Sequence, residues 1–245
     1  MTRRNQAVIQ FLMPVAAFGA LCTTGRAQTS GDPHNFDIAG IRLGISVEQA
    51  QSAIHAHDPS MKVQVLQSPS QIGKSTFTSG VAGLMGSQRG KSDGILIAFT
   101  ETEGNKAYRI TRVLTYDQNS PAPRDVLVQQ MTAKYGKQHS GTAEGMLWGF
   151  DPDGKPGRVC GAALIGNFVS VDQFSFPVGS VFNSGCGIGL DIIVGTGTLT
   201  TKIQEVLVDG QLEYKNLMNI KKVHDDAEAK RLQELKDKAK QKSPF

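Results

Sequence analysis

The sequence of 245 residues predicts an α+β protein in which helices pack on one face of an antiparallel sheet. Short apolar runs with the period-two alternation of half-buried strands recur along the chain. Short turns separate several of these runs, which favours antiparallel pairing. Two segments with apolar residues at helical spacing each precede a group of runs. We therefore expect a tandem arrangement, a helix and three strands twice over, followed by a charged C-terminal helix.

The chain divides into an exported precursor segment, one structured domain and a charged tail. We expect a signal peptide at residues 1–27, a polar lead-in at 28–35, an α+β domain at 36–210 that can be divided into halves 36–117 and 118–210, and a charged C-terminal helix and tail at 211–245.

The first 27 residues have the pattern of a secretory signal. Arg3 and Arg4 precede an apolar stretch at residues 8–22, and small residues ending at Ala27 favour cleavage before Gln28. The stretch is too short and interrupted for a bilayer-spanning helix. A buried N-terminal helix is the weaker interpretation, because it leaves the charge flank and the cleavage pattern unexplained. The sequence therefore predicts a periplasmic or secreted protein with no integral membrane segment after cleavage.

Two special export routes fit the signal less well than the general secretory route. A twin-arginine signal needs an apolar pair where Gln6 and Ala7 stand. A lipoprotein signal needs a small residue where Leu21 precedes Cys22. We expect Cys22 to be removed with the signal.

The charge of the mature chain excludes a nucleic-acid partner. The whole chain has 26 basic and 22 acidic residues, but the signal holds three of the arginines and no acid, so 23 and 22 remain, a net charge of +1. No basic stripe with interleaved aromatic residues and no groove-reading motif is present.

Cys160 and Cys186 are the cysteines left after cleavage. In an exported chain they are expected to form one disulfide. The loop of about 26 residues that it closes corresponds to roughly 3–4 kcal/mol in the chain-entropy model. A two-cysteine metal site is the alternative, but no paired CxxC and no nearby histidine support it. No metal and no cofactor is expected.

The stretch from residue 36 to 59 predicts a short strand, a turn and a capped helix. Ser46 suits an N-cap and Gln49 completes a capping box. Ala50 and Ile54 fall on the apolar face. Asp58-Pro59 ends the helix, since the residue before a proline avoids the α region.

The remaining elements follow from similar patterns. We expect strands at 61–66, 94–101, 108–116, 145–150, 158–165, 189–194 and 202–208, a helix at 123–135, and a C-terminal helix at 215–242 with a break near Asn219. That last helix has a thin apolar stripe, so it is expected to be solvated, and an interaction arm is the alternative.

Two long connections are the candidate binding surface. Residues 67–92 are rich in Gly and Ser, residues 167–184 contain four phenylalanines, and loops of this length are often functional. The candidate surface residues are Val81, Leu84, Met85, Phe168, Phe174, Phe176 and Phe182.

The segment Gly40-Ile41-Arg42-Leu43-Gly44-Ile45-Ser46 before the first helix resembles the entry segment of small proteobacterial envelope domains. These usually read G-hydrophobic-x-L-G-M-S/T, so Ile45 stands at the Met position. Tyr135-Gly136 at the end of the second helix also resembles this group. The tandem layout is similar to the β-lactamase-inhibitor-protein-like fold, of which the small outer-membrane assembly lipoproteins use one unit. The resemblance implies a binding or scaffolding module and not an enzyme.

Patterns that could carry chemistry each have a simpler interpretation. Gly73-Lys74-Ser75 lacks the first glycine of a phosphate loop, since Ser68 stands there. Gly185–Gly189 and Gly195–Gly197 do not open helices, as dinucleotide binding requires. His55 and His57 point to different helix faces, and no G-x-S-x-G elbow is present.

These observations predict an exported, periplasmic protein of the bacterial envelope that binds another envelope protein or a small ligand, and they favour binding over catalysis. An exported hydrolase without a local motif, or an inhibitor of a periplasmic enzyme, is the alternative. A fold analogy alone supports the inhibitor.

Overall fold

The protein is an α+β structure built on one antiparallel sheet of eight strands. This computed structural model describes residues 32–73, 75–85, 91–157 and 185–242. The strands follow the order β3-β4-β5-β6-β12-β10-β9-β8 across the sheet. Their bounds are β3 Lys62–Pro69, β4 Thr76–Leu84, β5 Ser92–Phe99, β6 Ala107–Thr115, β8 Ser140–Gly141, β9 Gly145–Gly149, β10 Ile188–Ile193 and β12 Lys202–Asp209.

Two small strand pairs and one short 3-10 helix lie outside the large sheet in the described part of the chain. They are β1 Asp37–Ile38 with β2 Ile41–Arg42, β7 Ala122–Pro123 with β11 Leu199–Thr200, and the 3-10 helix Pro33–Asn35.

The described residues contain three α-helices: α1 Val47–His57, α2 Arg124–Tyr135 and α3 Gly210–Lys242. The capping box predicted for α1 is present, with Ser46 Oγ accepting from the backbone of Gln49 and the Gln49 side chain accepting from the backbone of Ser46. Among the described helices, none is long and apolar enough to cross a membrane.

Among the described residues, each half of the domain holds four strands of the sheet and one helix that packs on it. The first half fills one side in the order β3 to β6, and the second fills the other side from β8 at the edge inward to β12. The halves meet where β6 pairs with β12. The predicted tandem arrangement is therefore confirmed, with four described strands in each half where three were expected.

One row of directly paired residues forms the core beneath α1 and α2. Paired residues of antiparallel strands point to the same face of a sheet. The ring of Tyr135, at the end of α2, lies 5.5 Å from the Trp148 ring in this row. The row crosses six strands with fully buried side chains: Val81, Ile97, Ile110, Leu207, Leu190 and Trp148.

The opposite face carries a second row, and the first turns of α3 pack there. Arg109 on β6 donates to Glu213 of α3 at 3.3 Å, and both residues are buried. After Ile220, residues 221–240 of α3 are all exposed. The row on this face runs Ala82, Leu96, Thr111, Val206, Asp191 and Leu147.

The prediction of a long loop at residues 67–92 is wrong, because strand β4 lies within this range. Its small residues have a packing reason. A Cβ atom at Gly83 would lie 2.4 Å from Cγ2 of Ile54, so only glycine lets α1 approach the strand this closely. The Gly-rich composition marks a close helix–sheet contact there.

The break expected in the C-terminal helix is also wrong, since α3 is continuous from Gly210. Its start is supported by Asp209, whose Oδ1 accepts from the Leu212 backbone at 2.9 Å. Asn219, where the break was expected, donates from its amide to Glu103 at 2.5 Å. The strand expected at 158–165 lies outside the described residues.

Candidate functional site

A cleft opens on the α3-bearing face of the sheet, beside the short edge strand β8. It encloses about 80 Å³ and is lined by Ser140, Gly141, Thr142, Glu144, Gly145, Leu147, Asp191 and Ile193. Asp191 belongs to the central part of β10 and pairs with Leu147 of β9, which pairs in turn with Ser140 of β8. The register therefore places these three side chains on the same face.

The turn that forms the rim of the cleft is fixed through its backbone. Thr142 N–H donates to the Gly145 carbonyl at 3.0 Å, and Val194 N–H donates to the Glu144 carbonyl at 2.8 Å. The guanidinium of Arg124 donates to the Ala143 carbonyl at 2.9 Å from one side of the turn. The backbone of the turn is held in place in this way, and the hydroxyl of Thr142 accepts from the Glu144 backbone amide at 3.2 Å.

Arg124 belongs to the support of the rim and not to the lining of the cleft. Its Nε donates to the Gly195 carbonyl at 2.9 Å while its Nη2 holds the turn. Its guanidinium thus hydrogen-bonds two backbone carbonyls that belong to neighbouring segments.

Asp191 is the unusual residue of the cleft. It is 2% exposed, and its Oδ2 has no hydrogen-bond partner among the described residues. Burial raises the pKa of its carboxyl to about 6, although the Ile192 backbone amide acts in the opposite direction. A buried carboxylate without a partner is costly, so such a group calls for an explanation.

The lining supplies acceptors and apolar contacts together. Two carboxylates and two hydroxyls can accept hydrogen bonds, and Leu147 and Ile193 supply apolar surface. Such a concave site, mostly apolar with a few convergent polar groups, is suited to bind a small group that donates hydrogen bonds.

A second charged cluster lies on the other face of the sheet, under α1. Asp93 accepts from Arg112 through both oxygens, at 2.9 and 2.7 Å, and its Oδ2 lies 3.0 Å from Nε2 of His57. Arg112 also donates to Glu205 at 3.3 Å. The side chains of Asp93 and Glu205 are each 5% exposed.

The pKa values of the two carboxyls move in opposite directions. Burial acts to raise the pKa of Asp93, but the hydrogen bonds and charge of Arg112, with a smaller part from His57, hold it below its usual value. For Glu205 burial prevails over Arg112, and its pKa is raised. Since each of these groups has a partner, the cluster joins α1, β5, β6 and β12 as a support of the fold.

The structure describes three of the seven residues of the expected binding surface. Val81 is fully buried in the core row, and Leu84 and Met85 are half-buried, with Met85 packed against the core. The four phenylalanines, Phe168, Phe174, Phe176 and Phe182, lie outside the described residues. None of the three described residues of this candidate surface is exposed.

The structure describes one of the two cysteines that were expected to form a disulfide. Cys186 is disulfide-bonded, and its expected partner Cys160 lies outside the described residues. Cys186 packs against the start of α3, where a Cβ atom at Gly210 would lie 2.6 Å from its Sγ.

Gly73 and Ser75 lie between β3 and β4, in a connection that contacts the acidic residue Glu101, and Lys74 lies outside the described residues. Glu101 Oε1 accepts from Ser70 Oγ at 2.5 Å and from the Gln71 backbone at 2.9 Å. The chain's own carboxylate thus holds the amides that an anion would need.

The histidine pair of α1 is divided as expected. His55 is exposed, and His57 contacts Asp93. The described residues contain no group of three or more His, Cys, Asp and Glu side chains that could hold a metal ion.

Asp191 is not among the site residues that the sequence predicts. It stands in the apolar run Gly187–Val194, GIGLDIIV, and a charged residue within such a run was the available signal. The cleft itself depends on which strand lies beside β10, and no local pattern shows that.

The chain has no matching protein-family model, and neither the curated proteins nor the solved structures contain a significant match to it. The resemblance to proteobacterial envelope domains thus stays a prediction.

Proposed function

We propose that the mature chain is an exported binding protein of the bacterial periplasm, and that the cleft at Asp191 holds its partner or ligand. The observation that carries the proposal is the almost fully buried carboxyl group of Asp191, which lines an open cleft and whose Oδ2 has no hydrogen-bond partner among the described residues. Folding alone gives no reason to retain such a group, because a neutral or apolar residue at the same place is less costly. Binding sites, in contrast, commonly retain groups that lower stability.

Three features of the sequence support the location and the class. The signal pattern of residues 1–27 and the pair of cysteines favour export into an oxidising compartment. The segment that precedes α1 resembles the entry segment of envelope domains that act as binding modules. The proposed partner is an envelope protein or a small ligand.

A photo-crosslinking amino acid at the rim of the cleft tests the proposal in the periplasm. We place it at Thr142, which is exposed and lines the cleft. The matched control is Ser52, an exposed residue of α1 on the opposite side of the sheet. We expect a specific adduct from Thr142, none from Ser52, and loss of the Thr142 adduct in the Asp191→Asn variant. Adducts that are the same from both positions, or that persist in Asp191→Asn, contradict the proposal.

An exported hydrolase that acts in the same cleft is the second candidate. The pKa of Asp191, raised to about 6 by burial, suits a carboxyl that donates and accepts protons near neutral pH. Hydrolysis of ester, amide or glycoside substrates by the mature protein, lost in Asp191→Asn, identifies this function. The absence of turnover together with a retained Thr142 adduct supports the binding protein.

A further inference from the structure

We propose that the cleft at Asp191 binds a primary ammonium group, the end of a lysine side chain or of a small amine. This inference rests on the proposed function and specifies its ligand. The charged side chains that line the cleft are Asp191 and Glu144, both acidic, and no lysine, arginine or histidine is among the lining residues. A cation is therefore the complementary ligand.

The size and the polarity of the cleft fit an ammonium group on a short alkyl chain. A water molecule occupies about 30 Å³ of liquid, so about 80 Å³ takes a group of a few non-hydrogen atoms. An ammonium group has three donors and no acceptor, and the cleft offers carboxylate and hydroxyl acceptors. Leu147 and Ile193 would contact the methylene groups next to the nitrogen.

The state of the Asp191 carboxylate distinguishes an ammonium from a guanidinium. A guanidinium pairs best with a carboxylate that presents two oxygens side by side. Here a single oxygen of Asp191, Oδ2, is buried without a hydrogen-bond partner among the described residues. One unpartnered oxygen in a small cleft suits the compact ammonium.

A titration of the mature protein followed by amide NMR tests the ligand class. The probe is n-butylammonium, and the matched probes are 1-butanol, which has the same chain without the charge, and guanidinium. We expect saturable shifts of the Gly141, Gly145 and Ile193 amides with n-butylammonium only. Asp191→Asn should weaken the binding at least about tenfold, which corresponds to about 1.4 kcal/mol.

Asp153→Asn is the control variant, because that side chain is 77% exposed and lies outside the cleft. Trp148 is the one tryptophan of the chain, and its indole N–H donates to the Gly136 carbonyl. The NMR signal of this N–H therefore reports whether each variant keeps the fold. Equal binding of 1-butanol, tighter binding of guanidinium, or unchanged binding by a folded Asp191→Asn variant overturns the inference.

A lysine peptide, acetylated at its amino end, distinguishes the two sources of the ammonium. Binding at least about tenfold tighter than that of n-butylammonium identifies a protein lysine, and equal binding identifies a small amine. If neither amine binds while the Thr142 adduct still depends on Asp191, the ligand class is wrong and the proposed function stands. Loss of both results overturns both.

Discussion

Replacing Asp191 by Asn should stabilise the protein at neutral pH and have little effect in acid. The pKa of Asp191 is raised by burial from its ordinary value of 3.8 to about 6. Each tenfold change in proton affinity corresponds to about 1.4 kcal/mol, so the two values differ by about 3 kcal/mol. Asparagine has the same shape and never carries the charge, so it should remove this cost.

The sign of the effect follows from where the proton is held. Between pH 3.8 and about 6 the folded state keeps a proton that the unfolded state has lost. The stabilisation linked to this proton is fully present below pH 3.8 and is lost as the pH rises through about 6. Asp191→Asn should therefore raise the free energy of unfolding by up to about 3 kcal/mol at pH 7.5 and change it little at pH 3.8.

Urea unfolding at several pH values between 3.8 and 7.5 measures this difference. Fluorescence of the fully buried Trp148 reports the transition. The exposed Asp153→Asn variant should show no such pH dependence. A difference between wild type and Asp191→Asn that is the same at pH 3.8 and at 7.5 would refute the reasoning, because the cost would then not come from the ionised carboxyl.

Three further changes test the rest of the fold by the same urea assay. Arg112→Met should cost about 3–5 kcal/mol, because it leaves the two buried carboxylates of its cluster without their partner, and a loss below about 1 kcal/mol contradicts that role. Gly83→Ala should cost about 1–3 kcal/mol, since its Cβ would meet Ile54 at 2.4 Å, whereas the control Gly73→Ala has room and should be nearly neutral. Removal of residues 222–245 should leave the free energy of unfolding within about 0.5 kcal/mol, because residues 221–240 are exposed, and a larger loss would show that this segment packs on the domain.

The parts of the fold that the sequence predicts well have local causes. The α1 helix was predicted together with its cap, because Ser46 and Gln49 satisfy backbone groups within one turn. The strands at the centre of the sheet were predicted for a similar reason, since alternation and short turns are visible within a few residues. Such signals do not depend on the rest of the molecule.

The parts that were missed depend on distant partners. Gly83 looked like a loop residue because the reason for it, the Ile54 side chain, lies in a helix about thirty residues earlier in the sequence. Asn219 looked like a helix break because its partner Glu103 lies in another turn. The Asp191 cleft depends on the pairing of β10 with β9 and of β9 with β8, which only the folded sheet fixes.

The exposed part of α3 has a hydrodynamic consequence. Residues 221–240 extend away from the sheet, and at 1.5 Å of rise per residue they form a rod about 30 Å long. A rod on a compact body increases its frictional drag far more than its mass. The protein should therefore elute from a gel-filtration column ahead of a sphere of equal mass, while sedimentation equilibrium, which does not depend on friction, returns the true mass of the particle. An early elution peak by itself should thus not be taken as a dimer.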